Sequence, residues 1–145
     1  MSLIALPAAA TSMLHSIVAM GVLTLVMFIW MYVTRLPAMT KAGIAPQDAA
    51  HPGSYQLPSR VARVADNYNH LFEAPALFYA IVIAIVVLGQ ADQMHVWCAW
   101  GYVIMRVAHS LVQATANIVM LRFALFSLSW IALGLMIVRA ALGSF

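Results

Sequence analysis

Charged residues are scarce in this sequence. Of its 145 residues, seven are Lys or Arg and four are Asp or Glu, which together make 8% of the chain, whereas 65% are hydrophobic. Charged side chains this scarce cannot cover the surface of a water-soluble globule. Lipid must therefore cover most of the surface of this protein. The basic residues are spread along the whole chain and form no dense patch. We therefore expect no nucleic-acid partner.

Several residue patterns that carry chemistry are also missing. Cys98 is the only cysteine, which excludes an internal disulfide, and its apolar neighbours indicate a buried structural thiol. The sequence has no glycine-rich phosphate loop and no nucleophile elbow. His70 and Glu73 lie one turn apart but are too few ligands by themselves, so no metal site is expected.

Long apolar segments dominate the rest of the chain. A transmembrane helix needs about 20 residues, and four segments of the sequence meet this length. We expect helices over about 12–35, 59–89, 93–117 and 121–141, and a loop rich in proline and glycine over 36–58. The sequence therefore predicts an all-α integral membrane four-helix bundle, in which residues 1–145 form a single membrane domain.

Basic residues predict the orientation of this multi-pass protein. They flank the first and third loops, at Arg35, Lys41, Arg60, Arg63 and Arg122. The second loop has only Asp92. Because loops with excess Lys and Arg remain in the cytoplasm, we expect the loop 36–58 to be cytoplasmic and both termini to lie on the other side.

Two of the four helices carry a stripe of polar side chains. In the second helix a stripe spans an arc of about 140° and contains Arg60, Arg63, Asp66, Asn67, His70 and Glu73. In the third helix a stripe spans about 100° and contains Tyr102, Arg106, His109, Ser110, Gln113 and Asn117. Antiparallel neighbours would bring both stripes and Arg122 to the same depth. Since ionisable groups are costly against lipid, we expect them to face a shared cleft.

This polar cluster has two explanations. Its members could pair with one another, for example Arg63 with Asp66 or Glu73, and hold the helices together. However, four arginines in the cluster face only two carboxylates. Such a surplus of positive charge favours an anionic ligand.

The segment RVARVADNYNHLFEAPALF resembles the second-helix motif of the MAPEG family, the membrane-associated proteins of eicosanoid and glutathione metabolism. Arg63, Asn67 four residues later, and Glu73 followed by a proline and aromatic residues carry this resemblance. A second set is similar to the microsomal glutathione transferases and consists of Arg106, His109 and Arg122.

The resemblance implies a homotrimer that binds glutathione, as a co-substrate, between helices of adjacent subunits near the cytoplasmic face. Its implied activity is that of a transferase or peroxidase acting on hydrophobic small molecules from the bilayer. Arg122 is the candidate catalytic residue, as stabiliser of the thiolate. The candidate binding residues are Arg60, Arg63, Asn67, His70, Glu73, Arg106, His109 and Gln113.

Two positions depart from the family pattern. Glu73 lies six residues after Asn67, whereas better-known members place the glutamate three after, where this chain has His70. Gln113 stands where conjugating members usually have tyrosine. Two other functions therefore stay open: non-catalytic binding of an anionic lipid or metabolite in the same cleft, and a small transporter with polar stripes around an axial pore.

Overall fold

The described chain is helical along most of its length. The computed structural model describes residues 6–50, 53 and 55–144. Its helices are α1 (Ala8–Lys41), α2 (Ser59–His70), α3 (Ala74–Val87), α4 (Gln93–Ala114) and α5 (Val119–Ser144). Within the predicted loop 36–58, Pro46–Ala50 forms a short 3-10 helix, and residues 51, 52 and 54 lie outside the described part of the chain.

Three helical stretches are long and apolar enough to cross a membrane. They are Ala8–Lys41, Ser59–Val87 and Val119–Ser144, with 34, 29 and 26 residues. The fourth predicted span, α4, has 22 residues but is not among the stretches that meet this criterion in the described chain. The reason is its polar stripe, which lowers its average hydropathy.

The helix α4 is nevertheless the most enclosed of the five. It contacts α1, α2 and α5, and half of its residues are buried. In contrast, only Ser129, Leu133 and Met136 are buried in α5. The neighbouring helices therefore shield the polar side chains of α4, as the cost of exposing them to lipid requires.

The first helix is longer than predicted. Instead of ending near residue 35, α1 continues through Pro37 to Lys41. Proline removes one hydrogen bond from a helix interior, and near the end of so long a helix the remaining bonds maintain the helical path. Lys41 is consequently the last helical residue rather than part of the loop.

The second predicted helix, over 59–89, is broken into α2 and α3. Pro75 has no N–H, and its ring would clash with the carbonyl group of Leu71 in a continuous helix. The Leu71 N–H closes α2 on the carbonyl oxygens of Asn67 and Tyr68, at 3.2 and 3.1 Å. Glu73 then adopts φ −85° and ψ −86° ahead of α3. Its side chain is thus not oriented as in the predicted continuous stripe.

Methionine and aromatic side chains form the core between α1, α3 and α4. Met13, Met20 and Met27 recur every seven residues along α1 and are at most 1% exposed. The rings of Phe78 and Tyr102 stack with centroids 4.3 Å apart. Unbranched methionines fill the irregular spaces beside such rings, so the core fixes how α3 and α4 face each other and where the polar stripe of α4 points.

Candidate functional site

A polar cleft runs along α2, beside the end of α4 and the beginning of α5. It is a cavity of about 400 Å³. The residues that line it are Ser59, Ala62, Arg63, Asp66, Asn69, His70, Glu73, Gln113, Asn117 and Arg122. It therefore brings together members of both polar stripes and Arg122, from three different helices and the two turns beside them.

Charges of both signs line this polar cleft. Among its described lining residues, Arg63 and Arg122 are opposed by Asp66 and Glu73, so the positive surplus predicted from the sequence is not found there. No ion pair joins these four side chains to one another in the described chain. The Nε atoms of both arginines are buried and have no hydrogen-bond partner. Pairing between arginine and carboxylate is thus absent among these four described side chains, and their charges are available to a ligand.

Arg106 lies behind the polar cleft rather than in its wall. It is 1% exposed, and its Nη2 donates to the carbonyl oxygen of His70 at 3.2 Å. Its guanidinium carbon also lies 5.8 Å from the ring centroid of Phe126. Arg106 therefore ties α4 to the end of α2 and packs against α5, so it positions the wall of the cleft.

Several polar atoms near Arg106 are buried without a partner. Asn67 is fully buried with both amide atoms unbonded, and neither Arg106 Nε nor its Nη1 has an acceptor. The hydroxyl groups of Tyr102 and Ser110, which lie four residues to either side of Arg106 on α4, are in the same condition. Each such group costs about 1–3 kcal/mol unless water or a ligand satisfies it. These four polar side chains of α2 and α4 therefore have buried atoms without a hydrogen-bond partner in the described chain.

Arg122 is held in place by the turn between α4 and α5. Its Nη1 donates to Asn117 Oδ1 at 2.6 Å. Asn117 has a positive φ of 52°, a conformation that asparagine tolerates better than most residues. Sequence reasoning placed Asn117 in the α4 stripe but did not identify this role. The sequence feature that could have indicated this role is a single asparagine in a short turn, five residues before an arginine.

His109 links α4 to the first turn of α5. Its Nδ1 lies 3.1 Å from the carbonyl oxygen of Arg122, and its Nε2 lies 3.0 Å from Gln113 Oε1. A carbonyl oxygen only accepts, so Nδ1 carries a proton, and the other nitrogen of a neutral ring then accepts from the side-chain amide of Gln113, whose oxygen and NH2 group exchange places by a flip. With both nitrogens engaged and 4% of its surface exposed, His109 positions Arg122 and is not a free base in the cleft.

Arg60, another candidate from the sequence, does not line the polar cleft. It is exposed and borders a separate cavity of about 620 Å³ between α1 and α2, together with Lys41 and Arg63. Arg63 lines both cavities. Although Arg60 and Arg63 are less than one helical turn apart, only Arg63 reaches the polar cleft.

An apolar groove adjoins the polar cleft along α5. One part, of about 340 Å³, is lined by His70, Glu73, His109, Val119, Arg122, Phe123 and Phe126. A second part, of about 310 Å³, is lined by His70, Glu73, Ala74, Leu77, Phe126 and Trp130. Sequence reasoning missed its aromatic side chains because α5 is apolar on every face. The one available signal is that Phe126 follows Arg122 by four residues and so shares its face.

The described residues supply no metal centre. No group of three or more His, Cys, Asp or Glu side chains within that part of the chain could hold a metal ion. His70 and Glu73 both border the polar cleft, but two ligands do not complete a coordination shell. The chemistry available here is that of guanidinium, carboxylate and amide groups.

Comparison with known proteins gives the same family as the residues themselves. A model of the MAPEG family matches residues 13–142, which include every residue that lines the polar cleft and the apolar groove. The resemblance identified in the sequence is thereby confirmed. No curated protein and no solved structure matches the chain.

Proposed function

Because the chain belongs to the MAPEG family, we propose that it is a membrane-embedded glutathione-dependent transferase or peroxidase. In this proposal glutathione binds in the polar cleft and a hydrophobic electrophile enters the apolar groove from the bilayer. The observation that carries the proposal is the position of Arg122, which lines both cavities. A thiol beside Arg122 would meet its electrophile at the boundary between the two.

The charges of the polar cleft suit glutathione better than a simple anion. At neutral pH glutathione has two carboxylates and one ammonium group. Arg63, which forms no ion pair in the described chain, can bind a carboxylate, and Asp66 or Glu73 can bind the ammonium group. A purely anionic lipid or metabolite would be repelled by those same two carboxylates. The mixed lining therefore favours a zwitterionic peptide.

Arg122 is the proposed stabiliser of the thiolate. A free thiol has a pKa of about 8.5 and is only a few per cent ionised at neutral pH. Lowering that pKa by about two units takes roughly 2.7 kcal/mol, which a guanidinium group in a water-poor cleft can supply. Asn117 holds one nitrogen of Arg122, while its buried Nε remains without a partner.

Both proposed reactions use only glutathione, the hydrophobic substrate and water. In the transferase reaction the thiol gives its proton to water, the sulfur lone pair forms a carbon–sulfur bond, and the leaving group departs with its bonding electrons. In the peroxidase reaction the thiolate attacks one oxygen of a hydroperoxide, so that a sulfur–oxygen bond forms, the O–O bond breaks, and the departing alkoxide takes a proton from water to become an alcohol. A second glutathione then attacks the sulfur of the resulting sulfenic acid, forms the disulfide and releases water. Holding both substrates at one boundary supplies much of the acceleration.

The proposed assembly is a homotrimer of four-span subunits. Family membership supports the number three and a glutathione site shared between neighbouring subunits. The enclosure of α4 by α1, α2 and α5 supports its crossing the membrane as the fourth span. The basic residues at Lys41 and Arg60 support a cytoplasmic position for the loop between them, with the termini on the opposite side.

A second candidate function is favoured by Gln113. Gln113 has an amide where conjugating members usually have tyrosine, so this position offers no hydroxyl group to assist a thiol. The amide is 1% exposed and hydrogen-bonded to the His109 ring. In that case the polar cleft would bind its ligand without catalysing a reaction.

The proposal is tested by ligand-induced stabilisation of the detergent-solubilised protein. Glutathione at about 100 times its dissociation constant should stabilise the wild type by about 2.7 kcal/mol. Arg63→Ala should lose most of this shift. Arg139→Ala, which removes an exposed arginine from the other end of α5, should retain it. If millimolar glutathione does not shift the wild type, glutathione is not the ligand.

Arg122→Ala separates binding from catalysis. We expect the variant to consume a model aryl halide at least tenfold more slowly than wild type, because its bound thiol is less ionised. The ultraviolet absorbance of the bound thiolate should appear at higher pH than in wild type. If the wild type binds glutathione but consumes the electrophile no faster than buffer, the non-catalytic function is the correct one.

A further inference from the structure

The cavity between α1 and α2 gathers positive charge from Arg63 and from two residues that the proposed function does not use, Lys41 and Arg60. It measures about 620 Å³, and Lys41, Arg60 and Arg63 line it. Lys41 ends α1 and Arg60 lies in the first turn of α2, so the charges are gathered where these two helices meet. We call it the α1–α2 cavity.

Three basic side chains line the α1–α2 cavity without an acidic one in its described wall, although Arg63 also faces the polar cleft. No Asp or Glu is among the described residues that line the α1–α2 cavity. Nor does any of the three form an ion pair with a carboxylate in the described chain. The polar cleft, with its two carboxylates, differs in this respect. Two of the four arginines in the predicted surplus, Arg60 and Arg63, are thus joined here by Lys41, and the cavity is complementary to an anion.

The remaining wall of the α1–α2 cavity is apolar. Trp30 and Pro37 line it from α1, and Val61 and Val64 line it from α2, where they are 5% and 2% exposed. The hydroxyl group of Thr34 also lies in the wall, but it donates within α1 to the carbonyl oxygens of residues 30 and 31, at 2.9 and 3.1 Å. This wall therefore presents hydrocarbon beside the cationic end.

The apolar wall extends well away from the charges. From Lys41 to Trp30 the chain runs eleven residues of continuous helix, which at about 1.5 Å per residue is roughly 16 Å. That distance is about half of the hydrocarbon thickness of a bilayer. A ligand matching the cavity thus needs an anionic head and a long apolar chain.

We propose that the α1–α2 cavity binds an anionic phospholipid, with its phosphate group against Lys41, Arg60 and Arg63 and an acyl chain along α1 and α2. Guanidinium and ammonium groups bind phosphate oxygens strongly, and basic residues at a membrane surface attract anionic lipids. Lys41 and Arg60 take no part in the proposed glutathione binding. Because Arg63 also lines the polar cleft, the decisive substitutions are at the other two positions.

The test is native mass spectrometry of the full chain released from detergent containing phosphatidylglycerol or phosphatidylcholine. Wild type should retain phosphatidylglycerol. The double variant Lys41→Gln with Arg60→Gln should retain at least about tenfold less of it. Arg139→Gln, which removes one positive charge outside the cavity, should behave as wild type. The charge-preserving pair Lys41→Arg with Arg60→Lys should also retain the lipid. Unchanged helical circular dichroism verifies that each variant is folded.

Four results would overturn the proposal. The first is equal retention of the zwitterionic lipid, and the second is undiminished retention of phosphatidylglycerol by the double variant. The third is stabilisation by inorganic phosphate as large as that by phosphatidylglycerol, which would indicate a soluble anion. The fourth is a change in oligomeric mass on removing the two charges, which would indicate that a second copy of the chain covers the cavity.

Discussion

Asp92 organises the end of the bundle that lies opposite the polar cleft. Its Oδ1 accepts a hydrogen bond from the backbone N–H of His95 at 2.8 Å and so caps the first turn of α4. Its other carboxylate oxygen pairs with Arg139 of α5. The backbone bond from His95, followed by the Arg139 guanidinium, holds the pKa of Asp92 below its usual range. One residue thus both starts α4 and links it to α5.

Substituting Asp92 separates these two contributions. Asp92→Ala removes the cap and should destabilise the protein by about 1 kcal/mol. Asp92→Asn keeps an acceptor for the His95 N–H and loses only an ion pair whose side chains are 43% and 45% exposed, so its effect should be a few tenths of a kcal/mol. Thermal unfolding in detergent at neutral pH measures both. Equal destabilisation by the two variants would show that the cap is not the larger contribution.

The lowered pKa of Asp92 also predicts the direction of a pH effect. Since its folded pKa lies below its unfolded value, its stabilisation is fully present above the ordinary aspartate pKa of about 3.9. It is lost as the pH falls through the lowered folded pKa. Asp92→Ala should therefore lose less stability on acidification than wild type. Parallel acid unfolding profiles would contradict this assignment.

At the scale of elements, α5 contributes one aromatic side to the candidate site. Phe126 lines both parts of the apolar groove, while its ring lies 6.1 Å from that of His109 and near the Arg106 guanidinium. Since Arg122 lies one turn before it on the same helix, a small rotation of α5 would move the charge and the groove together. The short turn at Asn117 limits such a rotation.

Truncating Phe126 should weaken the binding of the hydrophobic substrate and leave glutathione binding unchanged. Phe126→Ala should raise the KM for a hydrophobic electrophile roughly tenfold, because it removes apolar contact area from the groove. The stabilisation by glutathione should remain close to that of wild type. Leu128→Ala is a matched control, since Leu128 is 49% exposed on another face of α5 and lines neither part of the groove. A rise in KM for both variants would argue for a general effect on packing.

At the scale of the whole molecule, apolar surface dominates. Large hydrophobic side chains are exposed along α1 and α5, such as Val22, Ile29, Phe123 and Ile131. In water such surfaces would aggregate, whereas lipid or a neighbouring subunit can cover them. Membership of the MAPEG family and three helices able to cross a membrane identify an integral membrane protein.

The proposed trimer predicts a specific mass. Native mass spectrometry in detergent should give three times the 15.8 kDa of one chain. The same preparation should bind up to three glutathione molecules, because each subunit has one polar cleft. A monomer that binds glutathione with unchanged affinity would show that each cleft is complete within one subunit, and it would remove the shared site from the proposal.

The sequence alone determined the class of protein and the family. Composition identifies the bilayer as solvent, and apolar runs locate the helices, because hydropathy and the helical period are properties of neighbouring residues. The motif from Arg63 to Glu73 led to the MAPEG family, which the family match confirmed. Even Pro75, whose ring breaks the second helix at 71–73, was visible in the sequence. Its effect was not predicted because some membrane helices accommodate proline.

Only the tertiary structure decided which polar side chains share a cavity. Arg60, Arg63 and Arg106 look equivalent as members of polar stripes, yet one enters the α1–α2 cavity, one lies between two cavities, and one is buried behind the cleft. A stripe on a helical wheel spans a wide arc, and the rotation of each helix against its neighbours determines what each side chain faces. That rotation depends on packing between residues distant in sequence, such as Phe78 against Tyr102. The scarcity of charged residues thus indicated a membrane protein, whereas helix packing determined which charged residues line the polar cleft and which line the α1–α2 cavity.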